Sequence, residues 1–147
     1  MEGVEAMNID EKKIEGVRLL TDIFGRFPSF HDAEVVSLKL DRGNSETLAT
    51  VELSIHVFEM TSEIVENHYV LKNHTLVTFQ FEDVVELELE GFNHQNVLQD
   101  LSIVDIRHRQ LERIKFEVTI PGLHGLEGKF MCRSIKLISA VPFIPIT

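Results

Sequence analysis

The sequence predicts an α+β fold that is mostly β: an antiparallel sheet or sandwich of about seven strands with one N-terminal helix packed against it. One stretch near the N-terminus repeats its apolar residues at three- and four-residue steps. The later apolar runs alternate at a period of two and are separated by short turns rich in Gly, Asn, Asp and Pro. The intervening helices that parallel strands need are missing.

Ile9, Ile14, Val17, Leu20 and Phe24 lie on one face of a helix read from Asn8 to Phe24. Asn8 or Asp10 is placed to cap its start and Gly25 to end it. After Pro28 the period changes. Val36, Leu38 and Leu40 alternate with polar residues, Asp41-Arg42-Gly43-Asn44 reads as a turn, and Ala49, Val51, Leu53, Ile55 and Val57 alternate again, so a hairpin is expected. Tyr69 to Leu71 and Leu76 to Phe81 are rich in β-forming residues, and Val85, Leu87 and Leu89 interleave with Glu86, Glu88 and Glu90 up to Gly91. Val97 to Ile106, Ile114 to Ile120 and Lys129 to Val141 complete the strands, with a Pro121-Gly122 turn before the last.

With 147 residues, 44% of them hydrophobic and 26% charged, the chain suits a single domain over residues 1–147 that needs no disulfide or structural metal. The net charge of -10, with no stripe of Lys or Arg, repels phosphates and argues against a nucleic-acid ligand. The same charge would steer a basic protein partner, and it would equally serve solubility alone.

The stretch from Leu137 to Thr147 is too short to span a bilayer and is broken by Pro142 and Pro145. The acidic opening Met-Glu-Gly-Val-Glu lacks the basic-then-apolar order of a secretory signal. Neither membrane insertion nor export is expected. The one cysteine, Cys132, reads as a small core residue in a reducing cytoplasm.

Three constellations carry polar residues. His31, Asp32 and Glu34 sit where the helix hands over to the first strand; in a regular strand the two carboxylates share a face and His31 takes the other, so a metal site there needs a bend. The alternatives are a turn held by Ser29 and Asp32 and anchored by Phe30, or a face that meets a partner. Asn93 and Asn96, in the loop from Gly91 to Asn96, fit a tight turn or specific amide contacts to a partner. Glu82, Asp83, Glu86, Glu88 and Glu90 form an acidic ridge, in which Glu86, Glu88 and Glu90 share one wet strand face. That ridge is a solvated surface, a docking site for a cationic protein, or a surface neutralised from within by Arg107, His108, Arg109, Arg113 and Lys115. No glycine-rich phosphate loop, GxSxG turn or HExxH pair is present.

The segment from Phe27 to Val35, followed by Leu38 to Arg42, resembles the opening motif of the immunity protein 50 family. The resemblance continues through His56 to Thr61, Leu76 to Phe81 and Leu89 to Asn96, and ends in the strand carrying Phe130-Met131-Cys132-Arg133. Phe27 stands where that motif usually has tryptophan. The resemblance implies a cytoplasmic antitoxin that binds a cognate toxin of a bacterial polymorphic toxin system, with no catalytic residue and no cofactor. Such a binder needs a preformed surface and fast association. The rival readings are a metal-dependent enzyme using His31, Asp32 and Glu34, a small-molecule binding module, and a homo-oligomer.

Overall fold

The computed structural model describes residues 13–123 and 125–144 of the chain. Helix α1 (Arg18–Phe24) is shorter than the apolar period suggests, and the part expected from Asn8 to Lys12 lies outside the described residues. Between Lys13 and Val17 the chain is instead bound to a strand: Glu15 donates its N–H to the Ile135 carbonyl at 3.0 Å and accepts from Leu137 at 2.7 Å. Gly16, at φ +83°, permits this; a Cβ there would lie 2.5 Å from the Leu137 carbonyl oxygen. Glycine weakens a helix interior, so backbone pairing to the strand outcompetes the periodic pattern. Gly25 ends α1 as expected, with φ +77° and its N–H on the Thr21 carbonyl.

The strands are β1 (Glu34–Asp41), β2 (Thr50–Val65), β3 (His68–Glu82), β4 (Val85–Glu90), β5 (Ser102–Asp105), β6 (Phe116–Pro121), β7 (Glu127–Cys132) and β8 (Ser134–Pro142). They form two four-stranded antiparallel sheets, ordered β1-β2-β3-β8 and β4-β7-β6-β5. Eight strands thus replace the expected seven or so, and the arrangement is a sandwich. Inward residues of both sheets and Leu20 of α1 share one core, in which Leu53, Ile55, Val57, Val77, Phe79 and Phe81 are fully buried. A chain of aromatic contacts, Phe27–Phe30–Phe79–Phe81–Phe130, runs from the loop before β1 across the core to β7. Burial of each large side chain stabilises the fold by about 1.5–3 kcal/mol relative to exposure.

Four departures from the expected strands have local causes. In β1 the buried residue is Val35, not Val36 or Leu40, which are exposed. The register to β2 shifts between Val35 and Ser37, so Val36 is a bulge that reverses the inward phase. The run from Lys129 to Val141 is two strands: at Arg133 the chain leaves one sheet and enters the other, so inward positions change from Phe130 and Cys132 to Ile135 and Leu137. From Val97 to Ile106 only Ser102–Asp105 is strand; Val97 and Leu98 make isolated bridges to Glu34 and Gly122.

Finally, the segment from Tyr69 to Phe81 is continuous with its neighbours, so β2 and β3 form one long hairpin. Its turn has Glu66 at φ +52° and Asn67 at φ +66° between the paired residues Val65 and His68, the type I′ geometry that suits strand twist. Glycine takes φ > 0 without steric cost. Asn67→Gly is therefore expected to raise the melting temperature by a few degrees, equivalent to about 0.5–1 kcal/mol, as measured by calorimetry.

Candidate functional site

The first two sequence constellations meet in the folded chain. The segment after Ser29 runs beside the segment after Asn93, and they exchange main-chain bonds. Asp32 N–H donates to the Leu98 carbonyl at 3.0 Å, Leu98 N–H to the Ala33 carbonyl at 2.8 Å and Val35 N–H to the Asn96 carbonyl at 3.0 Å. A turn closed from Ala33 N–H to the Phe30 carbonyl places Asp32 at φ +69°, and Ser29 Oγ accepts the His31 N–H. Pro28, Phe30 and Ala33 are buried beneath it. The bend that a metal site would need is present, yet it leaves Glu34 apart from His31 and Asp32.

His31 Nδ1 lies 2.9 Å from the Gln99 carbonyl oxygen. A carbonyl only accepts, so Nδ1 carries a proton in this contact. His31 Nε2 is 3.6 Å from Asp32 Oδ1, and both side chains are largely exposed. Glu34 turns elsewhere and accepts the Asn96 N–H at 3.2 Å. Among the described residues no group of three or more His, Cys, Asp or Glu is arranged to hold a metal ion.

Asn96, at 3% exposure, is the buried centre of this seam. Its Oδ1 accepts the Asn93 N–H at 2.8 Å, and its Nδ2 donates to the Asn93 carbonyl at 2.8 Å and the Val35 carbonyl at 3.3 Å. A buried amide must be satisfied in this way, and here the partners tie the loop to β1. Asn93 stays exposed; its side chain accepts from Gln95 N–H and donates to the Gly91 carbonyl. Gly91, at φ +75°, lets this loop approach Gly125, whose carbonyl oxygen would be 1.9 Å from an added Cβ.

The acidic ridge separates into two parts. Glu82 and Asp83 are held inside the protein's own ion pairs. Asp83 is 6% exposed and pairs with Arg113 and Arg133, whereas Glu82 accepts from Ser134 Oγ at 2.6 Å and lies 3.3 Å from Lys136 Nζ. Burial alone pushes the Asp83 carboxyl up, but the hydrogen bonds and charges of Arg133 and Arg113 outweigh it and hold it below the ordinary carboxylate range. Asp83 takes φ +56° in the tight link between β3 and β4, which turns its side chain from the ridge toward Arg133 after β7.

Glu86, Glu88 and Glu90 are exposed. Glu86 sits at φ +57° in a bulge of β4, while Glu88 pairs across the ladder with Lys129 and Glu90 with Glu127. Glu117 lies one strand further on, opposite Met131. This outer face of the β4-β7-β6-β5 sheet also holds an open cavity of about 350 Å³, lined by Glu88, Glu90, Thr119, Pro121, Glu127 and Lys129. The basic residues after β5 do not neutralise the three ridge glutamates: Arg107 binds Asp105, Arg113 binds Asp83, and Arg109 lies 3.8 Å from Glu117. Among the described residues no cationic nitrogen comes within 4.0 Å of Glu86, Glu88 or Glu90.

One pairing has no signal in sequence spacing. His56 Nε2 and His74 Nδ1 meet at 2.9 Å on the other sheet, against Phe58 and Phe143. Burial and the His74 ring lower the His56 pKa, while Glu34 opposes that shift. The pairing arises because neighbouring strands bring diagonal residues of β2 and β3 together. Cys132 is buried, as expected, and burial with the nearby Asp83 charge pushes its thiol up to about 12, so it is no nucleophile.

No helix among the described residues is long and apolar enough to cross a membrane. No curated protein and no solved structure matches the chain. The profile described as Immunity protein 50 matches residues 16–143, which take in the seam, the acidic face and both sheets. The chain belongs to the immunity protein 50 family.

Proposed function

We propose that this protein neutralises a cognate toxin in the cytoplasm by binding it, with no catalytic step and no cofactor. The match to an immunity-protein family over residues 16–143 carries this reading. Two properties of the fold support it. The sandwich presents preformed sheet faces, which lowers the ordering cost of association. On the outer face Glu86, Glu88, Glu90, Glu117 and Glu127 outnumber the nearby cations Lys129 and Arg109, so its field attracts a basic partner. In this reading Asn96 and Glu34 act by holding the seam, while His31, Asp32 and Asn93 are the members of the two loops open to contact.

The test is protection. Cells expressing the toxin encoded beside this gene should survive when this protein is co-expressed, and the two should co-purify. Death despite stable expression of this protein, for every adjoining toxin, would sink the proposal. Reversing Glu86, Glu88 and Glu90 together to Lys should slow association at low salt by about tenfold or more and flatten its salt dependence, because exposed charges act mainly on encounter. Stopped-flow measurement at two ionic strengths checks it, with unchanged melting as the control for the fold.

A further inference from the structure

Beyond the sandwich, β2 and β3 continue as a two-stranded arm. β1 accompanies β2 only to the Glu34–His56 pair, and β8 accompanies β3 only to the Thr75–Pro142 pair, so the strands from there to the Glu66-Asn67 turn pair with each other alone. An isolated ribbon is marginally stable in water. This one is braced internally: Thr61 Oγ1 donates to the Val70 carbonyl at 2.7 Å, and Asn73 Nδ2 donates to Glu59 Oε1 at 2.6 Å.

The arm has one apolar face. Met60 pairs with Leu71 and Ile64 with Tyr69, and Tyr69 and Leu71 are two residues apart on β3, so all four side chains share a face. They are 54%, 37%, 60% and 55% exposed in that pairing order. Phe58, two residues before Met60, extends the face toward the His56–His74 pair. At its base, Phe58, Glu59 and Met60 line a cavity of about 270 Å³ together with Ser29, His31 and Asp32. Asp32, Glu59 and Arg26 line the cavity at the base, where Glu59 pairs across the ladder with Lys72, and Glu63 and Glu66 lie toward the turn at the tip. An apolar centre containing Met and Tyr within a charged rim is the composition of a binding patch.

We infer that this arm face, with the His31–Asp32 turn at its base, is where the toxin docks, and that the toxin presents an apolar centre with a basic rim. The inference rests on the antitoxin reading above and names its surface. Charge selects the occupant: a second copy packed face to face would set this acidic rim against itself, whereas a basic rim pairs with it. Contacts in a desolvated centre govern dissociation, so this face and the glutamate ridge on the other sheet have separable kinetic effects.

The experiment uses the full chain and the purified, catalytically inactivated toxin domain of the adjoining gene. Ile64→Ser/Tyr69→Ser should speed dissociation by about 100-fold, with a melting temperature close to wild type. Glu63→Lys/Glu66→Lys, which leaves the apolar strip intact, should weaken binding by slowing association, and it reads the rim even where the serine pair loosens the arm. Wild-type binding unchanged by both variants would overturn the docking face while leaving the antitoxin reading standing. Absence of wild-type binding to the toxin would overturn both. A wild-type dimer in sedimentation that the serine pair converts to monomer would also overturn it, since the occupant would then be a second copy.

Discussion

Removing both arginines that face Asp83, as Arg113→Ala/Arg133→Ala, is expected to lower the unfolding free energy by about 3–5 kcal/mol and the melting temperature by about 10 °C. The asymmetry of the site sets this magnitude. The Asp83 side chain is 8% exposed, whereas Arg113 and Arg133 are 55% and 42% exposed. With both guanidinium groups gone, a carboxylate is stranded in the interior; with the carboxylate gone, two half-exposed cations rehydrate. Asp83→Ala is therefore expected to cost clearly less, about 1–2 kcal/mol. Equal losses in urea unfolding of the two variants would refute the account.

The pH dependence follows with a definite sign. In the wild type the folded carboxyl lies below its ordinary value, so its stabilisation is complete above the ordinary carboxylate range and is lost as pH falls through the folded pKa. In the double arginine variant burial acts unopposed and raises that pKa. The variant is then weakest at neutral pH and gains as pH falls, so its deficit relative to wild type narrows. Urea titrations between pH 7 and pH 4.5 read the difference directly.

Asn96→Asp should destabilise the protein by about 2–4 kcal/mol at pH 7. The substitution keeps the shape and the Oδ1 acceptor, but it deletes the two Nδ2 donations to Val35 and Asn93. It also puts a charge at a site 3% exposed, beside the Glu34 carboxylate that accepts the Asn96 N–H. Amide exchange at Val35 and Leu98, whose N–H groups cross the seam, should accelerate with it. A stability within about 0.5 kcal/mol of wild type would show that the amide is not the hub described. Lowering the pH should restore part of the loss as the new carboxyl takes up a proton.

The seam illustrates what local pattern can and cannot convey. Asn93 and Asn96 stand out in sequence as residues suited to a tight loop, and both do close one. That Asn96 also holds β1, more than sixty positions earlier, has no local trace, because a hydrogen bond to a main-chain carbonyl leaves no pattern in the partner's side chain. Asp83 shows the reverse. It reads as one more acidic residue in a run, and only the positive φ of a turn takes it out of the row and into the reach of Arg133, fifty positions away.

By itself the sequence determined the class of fold and most of its strands. Alternation of apolar and polar residues is a local consequence of a half-buried pleat, and β2, β3, β6 and the ends set by Gly25 and Gly91 follow it. The tertiary structure alone decided where that alternation slips and which strands share a sheet. Val36 and Arg133 change the inward phase by one residue, and the apolar composition around them is the same on either side of the change. It also decided that Met60, Ile64, Tyr69 and Leu71 stay uncovered. An apolar residue carries the same signal whether it faces a core or solvent; coverage depends on where β1 and β8 stop, and those limits are set by the packing of the whole sandwich.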